Sequence, residues 1–383
     1  MIGATGALLG ALVTVMGTFV ELRPNRILGG EELTAVQAFG PGGWALLGLW
    51  LIVGAASIVN LGRTGALVRG FAANIALALA TLLAAIRADA WMAEQGEVAR
   101  LSLGVSAWLT VLATYIAIFS ATHALKGPRG WRVAVSLPGV VAVAAMLFTG
   151  RLNSLSIMQE YAVNATSFHM ALSQQLYYTL GATGVGLVLG LIAGVAAARM
   201  PRVEGPVFAV LNIAQVLPAL SFIGLLILPM AWLSANVPPL KAIGVSGIGW
   251  APVFVVLLSY ALYPITRNVF TSLKTLDASL VDAAKGMGMK PAQRLFQVEL
   301  PLAFPVVLAG VRIAAVQTTS AAILAALVGG GGLGQIVFFG VQQTASDLIL
   351  LGVIPIVVLS LSIDASLRFL ESTVSLSQEG LAS

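Results

Sequence analysis

A succession of apolar runs, each about as long as a bilayer is thick, most constrains what this chain can fold into. A helix needs about twenty mostly apolar residues to cross a hydrocarbon core of ~30 Å. By that measure ten spans are predicted: Ala4–Val20, Trp44–Val59, Leu67–Ile86, Leu103–Ala124, Val133–Phe148, Tyr178–Ala198, Val207–Leu233, Trp250–Leu273, Leu302–Leu327 and Leu348–Leu367. Inside hydrocarbon every backbone group must be bonded within its own segment, which favours helices. The expected fold is therefore all-α and polytopic. Only 9% of the residues are charged, against about 25% in a soluble protein. Trp44, Trp91, Trp108, Trp131, Trp232 and Trp250 fall near predicted span ends, as interfacial anchors do.

The basic residues orient these spans. With a cytoplasmic N-terminus, the inner segments hold Arg63, Arg69, Lys126, Arg129, Arg132, Arg199, Arg202, Arg267, Lys274, Lys285, Lys290, Arg294 and Arg368. The outer segments hold six (Arg23, Arg26, Arg87, Arg100, Arg151 and Lys241), while Arg312 lies within a span. That bias puts both termini inside. The net charge of +5 is thus a loop signature, and it does not indicate nucleic-acid binding. The chain has no cysteine, hence no disulfide framework and no thiol chemistry. Its opening run lacks a basic leader and reads as a retained helix. A polar stretch over 150–175 suggests two regions, 1–165 and 166–383, with five spans each and no repeat between them.

One polar interval stands out in the apolar second half, Val281–Pro301. Asp282 reads as an N-cap, Ala283 and Ala284 as helix formers, and Gly286 and Gly288 as a stop. Pro291 suits the first turn of a second short helix, and Leu300-Pro301 ends the interval where the next apolar run begins. Lys285, Lys290 and Arg294 supply positive charge. A helix–break–helix at the cytoplasmic membrane surface is the expectation, its small alanines allowing a partner close approach.

The interval also resembles the cytoplasmic loop of ABC-importer permeases. That pattern reads Glu-Ala-Ala, three residues, Gly, nine residues, Ile, one residue, Leu-Pro. Here it becomes Asp282-Ala283-Ala284, Gly288, Val298 and Leu300-Pro301, with every spacing kept. The plain alternative is an ordinary amphipathic loop. Further matches point to permeases for glycine betaine and related osmoprotectants: Asn212 to Leu220, Leu262 to Asn268, Pro301 to Arg312 and Leu324 to Gly334. The resemblance covers roughly residues 175–370, and a subset of that family carries an N-terminal membrane extension.

The resemblance implies a type I ABC permease domain in residues 166–383, in the inner membrane of a bacterium. It implies an ATPase subunit docked on Asp282–Pro301, with ATP and Mg bound on that partner. It also implies an extracytoplasmic solute-binding protein and a second permease chain, identical or not. Methionine, sulfonate or choline remain alternative solutes. An ion-coupled secondary transporter or a membrane sensor fits less well, because intramembrane carboxylates are scarce and the halves do not repeat.

The remaining motifs are weighed on residue chemistry. Gly329 to Gly334 fits a dinucleotide fingerprint by letters, but a membrane span precedes it where a strand is required. No phosphate-binding loop occurs, so another chain must hydrolyse any ATP. His123 and His169 are too few and too far apart for a metal site. Arg312 should lie near mid-membrane, where a charge faces a cavity or a partner. Asp364, the one carboxylate within a predicted span, is the expected partner. Tyr260 and Tyr263, with Trp250 and Phe254, could line a path for a quaternary ammonium, although packing is the commoner role of such residues.

Overall fold

The computed structural model describes residues 2–26, 28–59, 62–125 and 129–382. The chain divides into two compact units, Met1–Val163 and Asn164–Ser383.

The first unit is a bundle of α1 (Ile2–Met16), α2 (Ala35–Phe39), α3 (Pro41–Ile58), α4 (Gly62–Gln95), α5 (Val105–Ala124), α6 (Arg129–Ser136) and α7 (Pro138–Phe148). Small residues let these helices approach closely. Buried Ala72, Ala73, Ala76, Ala80, Ala84 and Ala88 give α4 a smooth face, and Gly10 of α1 lies directly against the ring of Trp50. In lipid, such packing replaces the hydrophobic drive that water would supply. One end carries three short strands that an all-helical expectation omits: β1 (Val20–Arg23), β2 (Glu31–Leu33) and β3 (Arg100–Leu103). They pair antiparallel in the order β2-β1-β3, with Val20 opposite both Leu33 and Leu103. Arg23 Nη2 binds Glu21 Oε2 at 2.7 Å beside the sheet. Chiefly through that bond, the Glu21 carboxyl is held below its usual range.

The predicted span Val133–Phe148 is bent by 48° where α6 meets α7 at Leu137-Pro138. Buried Asn74 of α4 accommodates the break. Its Nδ2 donates to Val135 C=O at 2.7 Å, and its Oδ1 accepts from Gly139 N–H at 2.6 Å.

The second unit is built from α8 (Ser156–Arg199, which begins in the first unit), α9 (Pro201–Val216), α10 (Ala219–Asn236), α11 (Pro238–Ala242) and α12 (Trp250–Lys274). Then follow α13 (Ala278–Gly286), α14 (Pro291–Arg294), α15 (Leu300–Ala321), α16 (Gly334–Gln342) and α17 (Ser346–Ala382). The centre is α12, packed on α9, α10 and α15, while α17 covers α15 and α16. Its core joins Val253, Val256, Leu257 and Tyr260 to Tyr178, Ala182 and Ile223.

Two expectations are corrected here. The helix predicted to begin at Tyr178 begins at Ser156, so the polar stretch over 156–175 is the first half of the 44-residue α8. The predicted span Val207–Leu233 breaks at Leu217-Pro218 into α9 and α10. Proline disfavours the helical conformation at the residue before it, and Leu217 is extended, with ψ 126°. Among the described residues, eight helices are long and apolar enough to cross a membrane. The bent α6–α7 pair makes a ninth if taken as one span, and α1 is a shorter apolar helix.

Candidate coupling site

Residues 277–301 link the central helix α12 to α15. The cap of α13 is Asp277, whose Oδ1 accepts from Ser279 N–H at 2.9 Å, and not Asp282 as expected. Those bonds from Ser279, its backbone N–H first, hold the Asp277 carboxyl below the usual carboxylate range. Asp282 lies on the second turn, exposed, with Lys285 Nζ 2.8 Å from its Oδ1. Ala284 is buried while Ala283 faces outward. The helix stops after Gly286, and Gly288 takes the left-handed turn at φ +76°. There Met289 N–H returns to Ala284 C=O at 3.2 Å. A side chain at Gly288 would be strained in that conformation.

Beyond the turn, Lys290 precedes Pro291, which opens α14 as expected. The second short helix is not separate from the apolar run that begins at Leu300-Pro301, which is a second correction. Leu295–Glu299 form a π turn that runs straight into α15, so Pro291 to Val328 is one helical span. Pro301 sits early in α15, and the π turn is where the helical bonding pattern adjusts.

That turn builds a feature which sequence reasoning missed. It brings residue i+5 over residue i, and Glu299 meets Arg294 Nε at 2.8 Å. Arg199, the last residue of α8, donates its Nη2 to the other carboxylate oxygen of Glu299. Glu299 is 4% exposed. One buried carboxylate thus fastens the 277–301 segment to the end of α8. The available signal was a lone acid between Val298 and Leu300 in an apolar context, but the usual helical spacings of three and four do not pair it with Arg294.

The outward face is not uniformly polar. Leu280, Met287 and Phe296 are 47%, 69% and 68% exposed, in a segment that also shows Ala283. Val298 is half-buried.

The other expected site residues lie apart from this segment. Arg312 Nη1 is 3.8 Å from Asp364 Oδ1, and its Nη2 is 3.9 Å from Glu371 Oε2. Asp364 has its shortest contact with Arg368, at 2.8 Å. Tyr260 is buried, and its hydroxyl donates to Leu217 C=O at 2.9 Å, so it satisfies the carbonyl freed where α9 breaks. Gln215 Nε2 donates to Tyr260 C=O at 3.1 Å across the same gap. Tyr263 is half-buried, and Trp250 meets Phe254 edge-to-face at 6.1 Å.

Gly329, Gly331 and Gly332 all have positive φ and follow a 3₁₀ turn, Ala322–Val328. Side chains of α8 hold this glycine turn: Gln174 Oε1 accepts from Gly332 N–H at 2.8 Å, and Tyr178 OH donates to Gly330 C=O. No strand–turn–helix unit is present there for a dinucleotide. Among the described residues no group of three or more His, Asp or Glu could hold a metal ion.

Known sequence families account for both units. Residues 2–158 match the N-terminal domain of the ABC transporter permease YehY. Residues 186–376 match the binding-protein-dependent transport system inner membrane component. The glycine betaine/carnitine/choline permease OpuCB of Bacillus subtilis (strain 168) is 33% identical over 202 residues, 53% of this chain and 86% of that protein. The carnitine permease OpuCB of Listeria monocytogenes is 34% identical over 198 residues, 52% and 84% of the two chains. The osmoprotectant import permease OsmW of Salmonella typhimurium (strain LT2) is 31% identical over 198 residues, 52% and 87%. Among solved structures, the inward-facing MetNI methionine ABC transporter gives a TM-score of 0.48 at 23% identity, covering 55% of this chain and 97% of that one.

A multi-span helical bundle with these relatives defines a class: the membrane-spanning permease subunit of an ATP-binding-cassette importer. Within it, this chain belongs to the family of binding-protein-dependent transport system inner membrane components, and it carries a YehY-type N-terminal domain in front. It is a transport subunit and not an enzyme.

Proposed function

We propose that this permease imports glycine betaine or a related quaternary-ammonium osmoprotectant such as choline or carnitine, driven by a separate ATPase that docks on residues 277–301. The solute class rests on the relatives, whose names span those three compounds. ATP and Mg are held by the ATPase, an extracytoplasmic binding protein delivers the solute, and a second permease chain completes the path. Both termini face the cytoplasm of a bacterium, as the bias of basic residues requires.

The docking reading is carried by one observation: exposed Leu280, Met287 and Phe296 on a segment whose other end is pinned by buried Glu299. Apolar side chains gathered on a surface that faces water favour a contact site. Asp282, Ala283, Ala284, Lys285, Gly288, Pro291, Arg294, Val298, Leu300 and Pro301 shape the docked element. ATP-driven closure of the ATPase pair displaces it, and α15 and α8 follow because the helix is continuous and Glu299 holds Arg199. Alternating access results. In the path, Arg312 and Asp364 hold α15 against α17, Tyr260 fixes the α9–α10 break, and Tyr263 lies beside it on α12.

The test is co-purification and uptake in proteoliposomes holding the ATPase and the binding protein. Phe296→Glu combined with Met287→Glu is expected to abolish ATPase retention and ATP-driven uptake of labelled betaine, with membrane insertion intact. Full retention of the ATPase by that variant overturns the docking reading. Absence of betaine, choline and carnitine uptake by the wild-type complex overturns the solute class.

A further inference from the structure

The first unit treats its two ends by opposite charge rules. At the sheet end four of five arginines are matched by acids: Arg23 with Glu21 at 2.7 Å, Arg26 with Glu160 at 3.1 Å, Arg87 with Glu94 at 3.7 Å and Arg151 with Asp89 at 3.1 Å, while Arg100 donates to the carbonyls of Glu97, Val98 and Ala99. Every acid of residues 1–163 belongs to that end or to the turns beside it: Glu21, Glu31, Glu32, Asp89, Glu94, Glu97 and Glu160. The opposite end, where α4 begins and α6 follows α5, carries Arg63, Arg69 and Arg132, and no carboxylate occurs in the sequence from 62 to 69 or from 117 to 136.

None of the three arginines described there is paired with an acid. Arg63 stacks on the Trp131 ring, 4.8 Å from its centroid. Arg132 is exposed beside Trp131, which is itself 42% exposed. Arg69 lies six residues further along α4, about 9 Å deeper at 1.5 Å per residue. Its Nη1 reaches only the Ser120 hydroxyl, at 3.4 Å, and its enclosed Nε has no hydrogen-bond partner. Gly3, Ser57 and Ser120 surround that guanidinium with hydroxyls and backbone, offering no counter-charge. The position of α6 in this group is fixed by the Asn74 bonds to Val135 and Gly139.

A guanidinium without an acid is best answered by a phosphate, whose oxygens match its fork of donors. Trp131 at the end of an apolar helix pair belongs at the level of the headgroups. We infer that this end of the first unit is a binding surface for anionic phospholipid headgroups, with Arg63, Arg69 and Arg132 taking the phosphate oxygens. The N-terminal unit is thereby a lipid-selective element of the permease. Charge complementarity favours phospholipid over a soluble anion, because the arginines sit at the rim of an apolar bundle and one lies below it.

The experiment places the full-length chain in phosphatidylcholine bilayers containing spin-labelled phosphatidylglycerol and measures its preference for that label over labelled phosphatidylcholine. The variant Arg63→Gln, Arg69→Gln, Arg132→Gln is expected to lose most of the preference, by about fivefold for each arginine that meets a headgroup. The control Arg23→Gln, Arg87→Gln, Arg151→Gln at the sheet end should keep it. Should the triple variant fail to fold, the exposed pair Arg63→Gln, Arg132→Gln is expected to give an intermediate preference. The inference is overturned by a wild-type chain without preference, by unchanged preference in the folded variants, or by displacement of the lipid with inorganic phosphate.

Discussion

Replacing Glu299 by glutamine should separate ATP hydrolysis from solute movement. The carboxylate is 4% exposed and grips Arg294, whose side chain is 12% exposed, and Arg199, at 35%. Removing one partner of a buried ion pair costs about 3–5 kcal/mol, because the remaining charge stays desolvated. Arg199 regains water more readily than Arg294, which puts the expected loss near ~3 kcal/mol, at the lower end of that range. Such a loss weakens the seating of the 277–301 segment on α8 by roughly 100-fold. The assay is uptake per ATP hydrolysed in proteoliposomes. Glu299→Gln should leave hydrolysis and ATPase retention in place while uptake per ATP falls steeply. Arg199→Gln should fall less, and the double variant no further than Glu299→Gln alone, since both remove one contact. Normal uptake per ATP in a folded Glu299→Gln permease refutes the reasoning.

Three further outcomes follow from the same geometry. Gly288→Pro cannot adopt φ +76°, so transport should be lost with insertion intact; Gly288→Ala should destabilise by about 1 kcal/mol. Tyr260→Phe removes the bond to Leu217 C=O and should cost about 1 kcal/mol, seen as a lower unfolding midpoint of the detergent-solubilised chain. The Asp277 carboxyl is held below its ordinary value of 3.8, so its contribution is present above that pH and lost as pH falls through the lower folded value. Protection of the first-turn amides of α13, taken relative to intrinsic exchange at the same pH, should therefore fall on strong acidification, and Asp277→Ala should lower it at neutral pH.

The helical character of the chain was legible because apolar length is a direct physical demand of the bilayer. The turn at Gly288 and the start at Pro291 were legible because those residues have few alternatives. Four features were not. The cap fell on Asp277 because two acids five residues apart compete for one helix start, and only the fold decides between them. The break at Leu217-Pro218 was hidden inside a continuous apolar run. Glu299 escaped notice because a π turn rearranges which side chains share a face, and no spacing rule anticipates that turn. The three-stranded sheet was equally hidden, its strands being only three or four residues long.

One helix touches both places where the second unit makes unusual bonds. Gln174 and Tyr178, midway along α8, grip the glycine turn, and Arg199 at its C-terminal end holds Glu299. Twenty-five residues of α-helix separate Gln174 from Arg199, about 38 Å of rod that resists compression along its axis. A tug delivered at the arginine therefore arrives at the glycines as a translation. The glycine turn can then be shifted from the far end of that rod, with no relay of side chains between.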